Sequence, residues 1–240
     1  MNTTKFNHPN KPLMVAHRGV SGLELENTCA AFVAAGNRSY WGVETDVHVT
    51  ADGKFIIIHD DNTGRVATES MVVEQTNYEK LRSLQLKGKD GMLRTDLRLP
   101  SLEEYLSICK YYDKVCVLEL KNPMEEEAVR QIVEVCRQVY SLDKMIFISF
   151  SFQNMVYIRK HAPEAEAQYL LAEEITDAHI DAMAAYSLDL DSHYLAVSEE
   201  LVQKLHDRGI KVNCWTVDDP EIANRLVAWG VDHITSNILE

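Results

Sequence analysis

Short apolar runs alternate with amphipathic stretches along most of this 240-residue chain. The runs are Leu13–Ala16, Trp41–Glu44, Val115–Leu120, Met145–Phe150, Ala167–Leu171, Ser187–Leu190, Ile210–Val217 and Asp232–Thr235, eight in all. Between them, apolar residues return at the three-to-four spacing of a helix lying on a core. Helix punctuation agrees with this reading. Ser101 and Glu104 form an S-x-x-E capping box ahead of Tyr105 and Leu106. Asp219 and Pro220 read as an N-cap followed by a proline at the first helical position, with Gly230 just past the end of that helix. Gly36 and Gly209 are expected to end two further helices in the same way.

Strands separated by helices imply parallel strands joined by crossover helices. Eight such units predict an α/β fold, a closed (β/α)8 TIM barrel, and length suits one domain of that kind. An open nucleotide-binding sheet is disfavoured, because the sequence has neither G-x-G-x-x-G nor a Walker loop. One region breaks the alternation. Residues 45–59, TDVHVTADGKFIIIH, read as strand, Asp-Gly turn, strand. Residues 61–99 then lose clean periodicity. Together they predict a hairpin and a small inserted subdomain after the second strand, above the barrel, with residues 1–240 otherwise one domain. The alternative is that Phe55–Ile58 is itself a barrel strand.

Composition narrows the partners. Hydrophobic residues make up 46% and charged residues 25%, an ordinary globular balance, while the formal net charge of −13 disfavours nucleic acid and anionic membrane faces. That charge also repels phosphate esters, so any phosphate site must be a local island of cations. Five scattered cysteines without C-x-x-C argue against a disulfide framework or a zinc knuckle. The opening MNTTKFNHPNKP has no apolar core, and no run approaches the length of a membrane span, so a cytoplasmic protein without membrane insertion is expected.

In such barrels the reactive groups gather at the C-terminal ends of the strands. Strand one ends in His17-Arg18-Gly19, strand two in Glu44-Thr45-Asp46, and strand three in Glu119-Leu120-Lys121. Glu44 and Asp46 are two apart and share a face. Three carboxylates converging there would repel strongly unless a divalent cation neutralised them, and all-oxygen ligation selects Mg²⁺, Ca²⁺ or Mn²⁺ over Zn²⁺. The hairpin register places Glu44 near His59 or Asp60, which brings a histidine to the cluster. A lone histidine is more often an ordinary half-buried one; two of them, His17 and His59, beside three carboxylates are more specific. Arg18 and Lys121 supply the cationic island, Arg as a planar fork and Lys as a point charge. The rival reading of Lys121 is a plain ion-pair partner of Glu119. Trp215 lies on the seventh strand, and its rival reading is core packing between barrel and helix.

The sequence resembles the glycerophosphodiester phosphodiesterase family of the phospholipase-C-like phosphodiesterases over nearly its whole length. The resemblance rests on AHRG (16–19), ENTCAAF (26–32), GVETDVHVTADG (42–53), IIIHD (57–60), LPSLEEYL (99–106), LELK (118–121), WTVDD (215–219) and GVDHITSN (230–237). It implies that Glu44, Asp46 and Glu119 bind one divalent cation, that His17 and His59 are general acid and base, that Arg18 and Lys121 hold the phosphate, and that Trp215 lines the substrate pocket. It also implies an inserted subdomain after the His-Asp pair. The sequence departs from the family at Leu25, where proline is usual, at DNTGRVATES (61–70) and at ITSN (234–237). None of these touches an implied ligand; they bear on substrate preference.

The implied activity is metal-dependent hydrolysis of a small-molecule glycerophosphodiester to glycerol phosphate and an alcohol such as choline, ethanolamine or glycerol. Two nucleophiles fit, a water or the neighbouring glycerol hydroxyl, and either histidine fits either role. A phospholipase C- or D-like or lysophospholipase D activity on lipids would want an amphipathic docking segment, which the sequence does not display. A non-catalytic phosphodiester-binding module is disfavoured by the complete residue set. A homo-oligomer is left open.

Overall fold

A run buried on both faces loses its polar alternation, and the strands of this protein show that pattern. All but the last residue of Gly42–Val49, and all of Val115–Leu120, are buried. The computed structural model describes residues 2–240. Its strands in chain order are β1 Leu13–Ala16, β2 Gly42–Val49, β3 Phe55–Ile57, β4 Leu86–Lys87, β5 Leu93–Arg94, β6 Val115–Leu120, β7 Met145–Ser149, β8 Glu166–Leu171, β9 Asp189–His193, β10 Val212–Trp215 and β11 His233–Ser236. Its helices are α1 Cys29–Gly36, α2 Tyr78–Arg82, α3 Leu102–Tyr111, α4 Glu126–Val139, α5 Phe152–His161, α6 Asp177–Ala185, α7 Glu199–His206 and α8 Pro220–Ala228.

Each of the eight apolar runs contains or overlaps a parallel strand. The ring closes because β1 pairs with both its neighbours, Leu13 opposite His233 on β11 and Val15 opposite Gly42 on β2. The circuit β1-β2-β6-β7-β8-β9-β10-β11 is the (β/α)8 barrel that the alternation predicts. β3 is not a barrel strand. It runs antiparallel to the overhanging end of β2, Val47 opposite Ile57 and Val49 opposite Phe55, as the hairpin reading expects. Gly53, at φ +72, makes the turn.

Alternate strand residues serve two cores. Met14, Val43, Leu118, Phe147, Leu190 and Ile234 pack outward against helix residues such as Phe32, Tyr105, Ile132 and Leu226. Val15, Val115, Val117, Ile146, Ile148 and Leu170 form a separate cluster inside the barrel, joined by the partly buried Trp41 and Trp215. A third cluster, with Ile58, Val73, Leu81, Leu86 and Leu99 among its members, belongs to the segment between β3 and α3. Arg82 ties that segment to the barrel through a bidentate pair to Glu104, at 2.6 and 2.9 Å.

The capping box at Ser101 and Glu104 forms, as do the Asp219 cap and the left-handed Gly230 at φ +88. Gly209 is left-handed too, in the turn after α7. Gly36 differs from expectation. It is the last residue of α1, Asn37 caps the helix, and Gly36 is not among the glycines with positive φ. A Cβ on Gly36 would lie 2.3 Å from the Tyr112 ring, so glycine is needed there for close approach and not for a left-handed turn. No helix among the described residues is long and apolar enough to cross a membrane.

Candidate active site

The site begins where β1 stops. Arg18 and Gly19 both take left-handed backbone, at φ 53 and φ 74. A Cβ on Gly19 would lie 2.6 Å from the carbonyl carbon of Ala31, so only glycine fits between this turn and α1. The turn aims the backbone N–H of Arg18 at Glu44 Oε2, 2.7 Å away. Strain of this kind persists where the surroundings hold it, and here a buried carboxylate does so.

Glu44 and Asp46 project from β2 on one face, and the β2–β6 register sets Asp46 opposite Glu119. All three are buried, and one oxygen from each lies within 4.8 Å of the others. At that spacing and an effective dielectric of 20, each ionised pair repels by roughly 3 kcal/mol. The ionisation behaviour follows. Burial, then Asp46, raise Glu44 well above the usual range and push Glu119 up to about 7. Burial also opposes ionisation of Asp46, but Lys121, Arg18 and His59 overcome it and hold this carboxyl low. Asn27 steadies Asp46 Oδ2 with an amide hydrogen bond of 2.7 Å. Its partner oxygen, Oδ1, is buried without a hydrogen-bond partner, with the Lys121 ammonium facing it at 3.6 Å. A buried orphan acceptor among three crowded carboxylates fits a hard, oxygen-seeking cation.

Both histidines are tied off through Nδ1. His17 Nδ1 lies 2.8 Å from Asn237 Oδ1, which also accepts from Ser21 Oγ. Burial, then Arg18, bring His17 down to about 4. His59 Nδ1 lies 2.7 Å from Asp60 Oδ1. Burial lowers His59 too, opposed by Asp46 and Asp60. The hairpin carries His59 to the carboxylates, since Ile58 N–H donates to the Asp46 carbonyl at 3.1 Å.

The two cations are engaged as well. Arg18 Nη1 pairs with Glu26 at 2.8 Å, and its Nε stands 3.6 Å from Asp46. Lys121 bonds Glu119 at 2.7 Å and reaches Asp46 at 3.6 Å. Lys121 is thus an ion-pair partner of Glu119 that also spans to the next carboxylate. Trp215 lies on the inward face. Its ring joins the barrel-interior cluster and meets Phe150 and His193 edge-on, at centroid distances of 6.0 and 5.4 Å. A cleft lined by Glu119, Lys121, Asn122, Pro123, Phe150 and Ser151 opens beside the carboxylates. Larger hollows elsewhere, along α7 and beneath the barrel, are lined by none of the three carboxylates or the two histidines.

The sequence assigns no role to Glu26, Asn27, Asp60, Arg65 or Asn237, yet each contacts a named site residue or its partner. Their proximity to His-Arg-Gly and His-Asp in sequence was the available signal for the first four. Asn237 lies in the matched stretch 230–237, but nothing local pairs it with His17 at the other end of the chain. Asp191 was missed too. It lies buried on β9 with Oδ1 unpartnered, on the same strand face as His193.

Comparison with known proteins identifies the family and agrees with the fold. Residues 17–239 match the model of the glycerophosphoryl diester phosphodiesterase family. A glycerophosphodiester phosphodiesterase of Caldanaerobacter subterraneus subsp. tengcongensis is 29% identical over 234 residues, covering 95% of this chain and 94% of the relative. Among solved structures, an Oleispira antarctica phosphodiesterase in complex with the product sn-glycerol-3-phosphate superposes with a TM-score of 0.87 at 28% identity, covering 95% of this chain and 94% of that one. A putative glycerophosphoryl diester phosphodiesterase from Silicibacter pomeroyi gives 0.88 at 25% identity, covering 96% and 91%.

Proposed function

The chain belongs to the glycerophosphoryl diester phosphodiesterase family, and on that premise we propose that it hydrolyses glycerophosphodiesters to glycerol phosphate and a free alcohol, using a divalent cation and two histidines. The observation that carries the reading is the meeting of three buried carboxylates, one with an orphaned oxygen, at strand ends that also bear His17 and the hairpin leading to His59.

Glu44, Asp46 and Glu119 would hold the cation, with Mg²⁺, Ca²⁺ and Mn²⁺ the candidates by ligand type. Bound there, it would offset the negative charge that builds on the phosphoryl oxygens. The remaining work falls to the chain itself. Arg18 and Lys121 orient the phosphodiester and add positive charge beside it. One histidine, its Nδ1 occupied, accepts the proton of the attacking oxygen at Nε2. The other delivers a proton to the leaving alkoxide, so the P–O bond to the alcohol breaks as the new P–O bond forms. Acid–base assistance of this kind is worth ~10²–10⁴-fold in rate. Trp215 forms an apolar wall against the glycerol carbons.

Incubation with glycerophosphocholine, with and without chelator, tests the reading by mass spectrometry of products. Glycerol phosphate and choline should appear only with the cation. His17→Ala and His59→Ala should each lose turnover; near-normal rates in both would overturn the mechanism.

A further inference from the structure

Arg65 lies in the loop after β3, and its guanidinium is shared by two carboxylates. Nη1 and Nη2 donate to the two oxygens of Glu26, each at 2.8 Å. Nε and Nη2 donate to Oδ2 and Oδ1 of Asp60 at 2.7 and 3.0 Å. Each carboxylate then faces a second partner in the site. Asp60 Oδ1 stands 2.7 Å from His59 Nδ1, and Glu26 Oε1 accepts from Arg18 Nη1 at 2.8 Å. One planar fork therefore joins the support of a histidine to the support of a phosphate-facing arginine.

This bridge does little to hold its own loop. The Arg65 side chain is 48% exposed, and ion pairs at such exposure contribute little stability. The loop is anchored by other means: Val66 and Ala67 are buried, and their N–H groups, with that of Met71, bond to Thr63. What the guanidinium supplies is direction. Two carboxylates set close together would repel, and each would be free to turn away from its partner. A rigid donor array between them fixes both.

We propose that Arg65 is a positioning residue for the reaction, holding His59 and Arg18 in one frame through Asp60 and Glu26. On this view the inserted segment offers no ligand to the cation yet sets the geometry of the groups around it. The inference rests on the roles proposed above for His59 and Arg18.

The test uses the full chain and three variants, Arg65→Met, Arg65→Lys and Arg65→Ala. In the wild type, imidazole nitrogen NMR should show His59 as a single tautomer protonated at Nδ1. Arg65→Met should mix the tautomers and lower kcat by ~10–100-fold, the usual cost of losing a group that orients a site. Melting temperature should stay close to wild type. Lysine should not restore the rate, because a point charge cannot bridge two carboxylates with a fork. Added guanidinium ion, but not ammonium, should partly restore Arg65→Ala. An unchanged His59 spectrum and kcat in Arg65→Met would overturn the proposal, as would a rate loss fully explained by unfolded protein. If the wild type itself turned over no glycerophosphodiester, the functional reading would fail, while the His59 spectrum would still decide the role of Arg65.

Discussion

His17 Nδ1 lies 2.8 Å from the side-chain oxygen of Asn237, 220 positions further along the chain. An amide oxygen only accepts, so the contact fixes the His17 proton on Nδ1 and leaves Nε2 as the free basic nitrogen. Asn237 is itself held by Asp218, whose carboxylate accepts from both the amide and the backbone N–H, at 2.7 and 2.8 Å. Closure of the barrel, β1 against β11, is thus what builds this half of the site.

The neutral partner lets burial and Arg18 hold His17 at about 4. Asn237→Asp should reverse that by placing a carboxylate against Nδ1, with Asp218 adding to the field. The cationic form gains, so the pKa must rise. Titration of the His17 ring by NMR should move up from about 4, and whichever limb of the rate profile His17 sets should move up with it. No movement of the ring titration would mean that Asn237 does not govern His17.

Cation affinity should depend on pH in a stated direction. Without a cation, Glu119 binds a proton below about 7, because burial and Asp46 raise it. A cation must displace that proton. Affinity should therefore fall as pH drops through 7, by up to about tenfold per unit for each proton released. Calorimetry in buffers of different ionisation enthalpy should detect the release near pH 6.5 and lose the Glu119 share of it well above 7. Glu119→Gln should weaken binding markedly at every pH and abolish the Glu119 share of the release. Unchanged affinity in that variant would remove Glu119 from the site.

Gly19→Ala tests the turn after β1. The added Cβ meets the Ala31 backbone at 2.6 Å, and alanine dislikes φ 74. Left-handed strain alone costs ~1–3 kcal/mol. At about 2–4 °C per kcal/mol for a chain of this size, the melting temperature should fall by several degrees. Activity should fall too, because the same turn aims Arg18 at Glu44. A variant as stable and active as wild type would show that the turn relaxes freely.

The barrel was legible because its signal is local and repeated. Val115–Leu120 and Met145–Ser149 read as buried strands wherever they sit, and the Ser101 and Asp219 caps need only their neighbours. The carboxylates were legible for the same reason, since Glu44 and Asp46 share a face once the strand is recognised. Gly36 misled because its constraint is tertiary, a Tyr112 ring from across the α1–α3 contact. Glu26, Asp60 and Arg65 show the limit more clearly. Their bond network joins three chain segments, and its members carry no periodicity that would pair them. The segment between β3 and α3 is opaque on similar grounds: its elements are two to five residues long, and its core is assembled from scattered leucines and valines.

Trp215 offers the sharpest separation of site from core. Strand alternation groups it with Asn213 and Val217 but does not say which face looks inward, and Val217, past the end of β10, packs in the outer layer instead. The structure does: the ring belongs to the cluster inside the barrel, against Phe150 and His193, and not to the layer between strands and helices. It is only partly buried, and its Nε1 is shielded without an acceptor. Such a ring can press on apolar carbons without adding charge, which suits a site already holding three carboxylates. Trp215→Ala should therefore raise KM for several glycerophosphodiesters together, since the glycerol moiety is what they share, and leave cation affinity near wild type. Trp215→Phe, which keeps an aromatic face, should recover much of the loss. Stability should fall by less than the ~3–5 kcal/mol that truncating a fully buried tryptophan costs. The opposite pattern, a melting temperature lowered by many degrees with KM unchanged, would assign Trp215 to the packing of the barrel and leave the substrate wall to other residues.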